Sequence, residues 1–283
     1  MTNGSQVLDV APSGASYTLG GRRTTVPSGD RVSDAMLDDR WAVVVEQDKL
    51  MSHPERATVT DLRTHHSWTL DGAGALPTTT GGAWTLTGNT AVYATVHRGH
   101  FCAASVDLAT RASALGWCAP ARHGWNAPIL GGGGLTILTF DDHHPSCRTL
   151  ETTLAGDPFR QATPCKATAG AVVGTSAVWL EVHNESQYEV SDVRVAAAGG
   201  VRDLGPADTG SLLVCGRDAY WAVDAQQRNG RAQLRRWDGT SVSTVYQSKP
   251  GQAFMAQPVC AGSVLTVTSF STSGNELVAA HVD

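Results

Sequence analysis

With 283 residues, 17% of them charged and a net charge of −5, the chain can bury a sizeable core. Its basic residues are nowhere denser than in "GRR" and "LRR", which excludes nucleic acid and an anionic membrane surface as partners. No apolar run approaches the roughly 18 residues that cross a bilayer, so membrane insertion is not expected.

Gly, Thr, Ala and Val are abundant, a balance that predicts many short strands and few helices. Only three of the 21 basic residues are lysines (Lys49, Lys166, Lys249), a skew of the kind GC-rich bacterial genomes produce. The N-terminus "MTNGSQVLDVAPSGASY" lacks the charged-then-apolar layout of a signal peptide. Either the protein stays in the cell or Met1 replaces a removed export signal.

In chain order, "GASYTLGGRR" reads as a lone strand. Then a unit begins to repeat: an apolar stretch, a turn of Gly, Asp, Asn or Ser, and an alternating strand that ends in a polar residue. The instances are "AMLDDRWAVVVE", "WTLTGNTAVYATVH", "PILGGGGLTILTFD", "AVVGTSAVWLEVH" and "LLVCGRDAYWAVD", with a looser sixth in "QPVCAGSVLTVTS". The closing residues of the first five are Glu46, His97, Asp141, His183 and Asp224, about 41 to 51 positions apart. A second hairpin follows each, as in "FCAASVDLATRASALGWC", so each repeat predicts four antiparallel strands, a to d. Such units repeated radially make a β-propeller, and six of this length fit the chain. An irregular β-sandwich is the rival, but it would not repeat this closely.

The expected architecture is therefore all-β: a six-bladed β-propeller of four-stranded blades, its ring closed by an N-terminal strand. The whole chain is read as one propeller domain. Residues 1–30 form the closing strand and lead-in, and the blades are approximately 31–75, 76–123, 124–169, 170–209, 210–252 and 253–283. The last repeat ends after "NELVAAHVD" without a fourth strand, so Tyr17 to Gly20 is expected to pair with Leu277 to His281 and remove an exposed edge.

Cys102 and Cys118 lie symmetrically about the turn "DLATRA", and Cys147 and Cys165 about "LAGDP". Symmetry about a turn places each pair on opposed strand positions, within reach of a disulfide. Cys215 and Cys260 occupy equivalent places in the inner strands of neighbouring repeats, so a bridge there would staple two blades. No Cys-x-x-Cys is present to suggest zinc. The pairing predicts an oxidising compartment, and a secreted or cell-surface location follows.

Nucleophile-elbow, zincin, P-loop and dinucleotide-binding signatures are absent. "GGGG" at Gly131 to Gly134 falls at an a–b turn, and "HNES" at Asn184 holds a glycosylation sequon. "TFDDHHPSC" sets two carboxylates beside two imidazoles in a b–c loop. Loops of that kind open on the face where the connections between blades also lie. That face gathers Glu46, His53, His97, His100, Asp141, Asp142, His143, His144, His183, Glu185 and Asp224, and the connections could add Arg22, Arg23, His123, Trp125, Asn126 and Phe254.

Polar loops and capped strand ends account for much of this crowd. A divalent metal ion held by His97, Asp141 and His183 is the sharper reading, with His100 and His143 in reach. A metal-free acid–base site is the third. Trp125 could stack on a sugar or planar group, whereas Trp41, Trp179 and Trp221 lie inside second strands and are expected to pack between blades.

The third-strand pattern in "ATVTDLRT", "ASVDLATR" and "YEVSDVRV" resembles the six-bladed, TolB-like propeller superfamily. That resemblance implies an architecture serving protein contact, carbohydrate binding, and hydrolase or lyase catalysis alike, so it selects no function. Two readings stay open. One is an exported, monomeric propeller binding a peptide, protein or glycan on its loop face, with His97, His100, Asp141, His143, His183, Trp125, Asn126 and Arg22 as candidate contacts. The other is a secreted metal-assisted hydrolase or lyase over blades two to four.

Overall fold

The computed structural model describes residues 1–283 except 72–74, 132, 153–164, 184–189, 198–199, 228, 272–273 and 283, and every element described is a strand. The first antiparallel sheet contains β1 (Leu8–Val10), β2 (Ser16–Leu19) and β3 (Arg22–Thr25). The second follows with β4 (Asp30–Leu37), β5 (Trp41–Asp48), β6 (Arg56–Asp61) and β7 (Ser67–Leu70), and the third with β8 (Trp84–Thr87), β9 (Thr90–His97), β10 (His100–Asp107) and β11 (Ser113–Cys118). Three strands are described for the fourth: β12 (His123–Gly131), β13 (Gly134–Asp141) and β14 (His144–Thr152). The fifth has β15 (Ala167–Val173), β16 (Ser176–Val182), β17 (Val190–Ala197) and β18 (Gly200–Asp208). The sixth has β19 (Leu213–Cys215), β20 (Asp218–Val223), β21 (Gln233–Trp237) and β22 (Val242–Gln247). In the seventh, β23 (Phe254–Met255) and β24 (Val259–Ala261) pair with β25 (Val264–Ser271), as does β26 (Gly274–His281).

Seven blades replace the expected six. The extra one is the N-terminal segment, expected as a single closing strand. Tyr17 pairs with Val10 and Thr24 inside the first sheet, while Leu277 pairs with Thr268 and His281 with Val264. The expected Tyr17–Gly20 to Leu277–His281 pairing is therefore not the one found. The cause is local. Turns at Pro12–Gly14 and at Gly20–Gly21, where both glycines have positive φ, fold residues 8–25 into a meander. Closing loops of a few residues costs far less entropy than closing one that spans the chain. The doublet read as part of a lone strand is a hairpin turn.

The chain divides into two compact units, Met1–Asn126 with Ala261–Ser263, and Ala127–Cys260 with Val264–Asp283. In the first unit, β5 is buried along nearly its whole length. Adjacent residues of a strand point to opposite faces. Trp41, Val43 and Val45 accordingly join a core with Trp84, Tyr93 and Val106 of the third sheet, while Ala42 and Val44 join Leu8 and Tyr17 of the first. Ala261 joins that second cluster too, and Asp39 accepts a hydrogen bond from the Ser263 amide at 3.2 Å.

The second unit repeats the design. On β20, Ala219 and Trp221 pack with the fifth sheet, while Tyr220 and Ala222 pack with Leu265 and Val267 of the seventh. On β16, Val178 and Leu180 face the sixth sheet and Trp179 faces Leu138 and Leu150 of the fourth. Trp41, Trp179 and Trp221 are thus inter-sheet packing residues, no more than 3% exposed.

The Asp-Leu pattern after third strands has a physical basis in two of its three instances. Asp61 accepts from the Arg63 amide and Asp107 from the Thr110 amide, each holding its own turn. Leu108 behind the second is buried. Asp192, in the third instance, instead lies inside β17.

Three disulfides join Cys102 to Cys118, Cys147 to Cys165 and Cys215 to Cys260, the pairing expected from hairpin symmetry for the first two and from equivalent repeat positions for the third. Cys102 and Cys118 are register partners on β10 and β11. The turn expected between Cys147 and Cys165, at residues 154–158, lies outside the described residues. Three disulfides place the chain in an oxidising environment.

Two measurements check this packing. Trp221→Ala should cost about 3–5 kcal/mol in urea unfolding, because it opens a cavity between two sheets, while Phe254→Ala, half-exposed, should cost under about 1 kcal/mol. Cys215 and Cys260 enclose 45 positions against 16 for Cys102 and Cys118. In the chain-entropy relation the former is worth about 4 kcal/mol and the latter about 3. The double alanine variant at Cys215 and Cys260 should therefore melt at the lower temperature in calorimetry.

Candidate functional site

The loop in "TFDDHHPSC" is a tight hairpin. Asp141 and His144 face each other as its last register pair, and Asp142 and His143 form the turn. The Asp141 carboxylate accepts the His143 amide at 2.8 Å, so it holds its own turn. Among the described residues, one trio of His, Cys, Asp or Glu brings its ligand atoms close together: His144, Cys147 and Cys165. Its two sulfurs are bonded to each other and offer no thiolate.

His97 and His100 are register partners across the Arg98–Gly99 turn, and both of those residues have positive φ. His97 is exposed, while His100 Nδ1 lies 3.0 Å from the Ala119 carbonyl oxygen. His183 follows β16 and is exposed; Asn184 and Glu185 lie outside the described residues. Glu46 is buried against Arg56 at 2.5 Å, and Asp224 accepts the Met255 amide at 2.8 Å. His53 is exposed, and His123 Nδ1 lies 3.0 Å from the Ala121 carbonyl oxygen.

Three further candidates sit in settings other than those expected. Arg22 flanks the Gly20–Gly21 turn, at the opposite end of its sheet from Pro12–Gly14. Its neighbour Arg23 donates to Ser16. Trp125 lies within β12 rather than in a connection, is 2% exposed, and packs on Phe101 with ring centroids 5.5 Å apart. A ring so covered is a packing residue, not a stacking platform. Asn126 follows it in the same strand, its Oδ1 buried without a partner. Phe254 is half-exposed beside Phe270, with centroids 6.2 Å apart.

The site that sequence reasoning missed lies in the first unit. A cavity of about 390 Å³ is lined by Pro12–Gly14, by the start of β4 (Arg31, Val32, Ser33), by Gln47 and Met51, and by Glu55, Gly81 and Gly82. These residues come from the β1–β2 loop, the end of β5 and the loop after it, the start of β4 and the connection that leads to β8. Glu55 is 3% exposed and accepts the Trp84 indole N–H at 2.7 Å, and the Trp84 ring stacks on Tyr93. Its backbone is tied down as well: its amide donates to Thr79, and Thr78 donates to its carbonyl. Gln47 is fixed by three bonds, donating to the His53 carbonyl and to Asp48 and accepting the Gly81 amide.

Burial pushes the Glu55 carboxyl up to about 7, Asp34 adds to the shift, and the Trp84, Gly82 and Ser33 donors oppose it. Asp34 itself is pushed up to about 6 by burial, against the Ala35 and Trp84 amides. The signal in the sequence is slight. Glu55 ends the loop "EQDKLMSHPE", and nothing there marks it apart from Glu46.

No family model matches the sequence, and no curated protein matches it. Solved structures do. The β-propeller domain of the Trilobed protease from Pyrococcus furiosus, described as having an open velcro topology, is 14% identical with a TM-score of 0.51, covering 92% of this chain and 83% of that one. Acylaminoacyl peptidase from Pyrococcus horikoshii is 12% identical with a TM-score of 0.54, covering 88% of this chain and 44% of that one. The fold is a β-propeller. The chain spans under half of that peptidase, so the peptidase's activity belongs to that protein. TolB from Acinetobacter baumannii superposes more loosely, at 14% identity and a TM-score of 0.45 over 87% of this chain and 63% of that one. That is too loose to select the TolB-like group.

The buried acids make a pH prediction. Glu55 binds its proton more tightly folded than unfolded, so its contribution is fully present below the ordinary carboxyl value of 4.5 and is lost as pH rises through about 7. Asp34 acts in the same direction at slightly lower pH. Unfolding free energy should fall between about pH 5 and about pH 8, and Glu55→Gln should flatten the fall by about 2–3 kcal/mol. Equal slopes for the two proteins in urea titrations would refute the assignment.

Proposed function

We propose that this chain is an exported β-propeller that binds a peptide, protein segment or glycan in the cavity over Glu55. The observation that carries the reading is the cavity itself, on loops and connections of the kind that hold ligands in this architecture. The disulfides support export, and the net charge of −5 fits neither a polyanion nor an anionic surface as partner.

Ser13 is exposed and lines the cavity, so a tryptophan there fills it without disturbing packing. Labelled chain applied to peptide and glycan arrays should bind a defined subset, and Ser13→Trp should abolish that binding with an unchanged melting temperature. Binding that survives Ser13→Trp but disappears in His97→Ala and His183→Ala would overturn the reading. It would return the ligand to the loop-end histidines.

A further inference from the structure

We infer that the cavity over Glu55 takes a cationic group of its ligand, the guanidinium or ammonium of a basic peptide residue, with the Glu55 carboxylate as counterion. The inference rests on the cavity being the ligand site.

Two partners of the Glu55 side chain can only donate, the Trp84 indole at 2.7 Å and the Gly82 amide, while the third, the Ser33 hydroxyl, can donate or accept and also donates to the Val45 carbonyl. Two obligate donors suit a carboxylate, since neither can accept the hydrogen of a protonated acid. Yet none of the main influences on Glu55 is a cation, and the one nearby charge among them is the repelling Asp34. A buried carboxylate that has hydrogen bonds but no countercharge is costly to ionise, and an incoming cation removes that cost.

The charged groups on the surrounding elements do not supply it. Arg31 lines the cavity and Lys49 stands on the β5–β6 loop, but both are exposed, where water screens their charge. Arg56 is committed to Glu46. Asp34 of β4 and Asp48 of β5 are anionic when ionised. His53 of the loop is exposed and is held through its backbone by Asp48 and Gln47. The N-terminal turn brings Pro12, Ser13 and Gly14, none of them charged.

Shape and donor set favour an organic cation over a metal ion. A volume of about 390 Å³ holds a long side chain, and the one described trio of close metal-ligating groups lies elsewhere, at His144. The Gln47 amide, spent on bonds within the wall, keeps that side of the cavity in place. Binding then requires Glu55 to release its proton as the cation enters.

The test uses the full chain with its disulfides intact and two blocked tripeptides. One is acetyl-Gly-Arg-Gly-amide; in the other, citrulline replaces arginine and differs in charge but hardly in shape. Calorimetry in buffers of different ionisation enthalpy, at about pH 5.5 and about pH 8, reads affinity and proton release together. The arginine peptide should bind at least about tenfold more tightly than its citrulline counterpart, more tightly at the higher pH, and with protons released at the lower one. Glu55→Gln should erase the preference while still folding, as its melting curve will report. Equal affinity for the two peptides, with both blocked by Ser13→Trp, would overturn the counterion role and leave the cavity as the ligand site. Failure of both to bind would overturn the two readings together, and exclusion of the arginine peptide by Ca²⁺ alone would assign the space to an ion.

Discussion

Burial of the second strands on both faces is the constraint on which the structure depends. A strand such as β5 or β20 presents alternate residues to two neighbouring sheets, so neither face can be polar. That explains why "WAVVV" and "AYWAV" show no polar alternation although they sit in antiparallel sheets, where one face often meets water. It also explains why large rings stand beside alanines. Trp221 fills the gap to the fifth sheet, while Ala222 lets the seventh approach from the other side.

With both faces committed to packing, polar chemistry is confined to strand ends, and there it divides into two kinds. Some acids are spent on their own turns. Asp48, Asp107 and Asp238 accept amides or hydroxyls a few residues away, and these bonds hold their carboxyls below the usual range. Others are caught between segments and pushed up by burial, among them Glu55, Asp34 and Asp208. Acids of the first kind are capping devices, however many gather on one face. The second kind carry stored electrostatic cost, and functional groups are drawn from them more often.

Asp208 shows the same physics in the second unit without a cavity lined by it among those described. Burial and the nearby Asp224 raise it, the Asp224 amide donates to it at 3.0 Å, and Asp224 in turn accepts the Met255 amide. The Asp208 carboxyl also meets that of Asp224, a contact that favours its protonated form. The pair ties the ends of β18 and β20 to β23. Glu55 differs in that it lines a cavity.

The sequence by itself determined the repeat, the strand type, the inter-sheet tryptophans and the disulfide register. Each of these depends on spacing along the chain: a period of about 41 to 51 residues, alternation by two, and symmetry about a turn. It also placed the polar strand ends correctly in kind. What the tertiary structure decided is everything that depends on which segment meets which. "YTLGGRR" reads equally well as a closing strand or as half of a hairpin, and the competition between local and distant pairing settled it as a meander, adding a blade. Trp125 and Asp141 look like ligand groups in a string of letters, but one is covered by Phe101 and the other is occupied by its own turn. Glu55 looks like any loop glutamate. Its burial comes from Trp84 and Gly82, nearly thirty positions away, and no local pattern encodes a contact that only folding brings about.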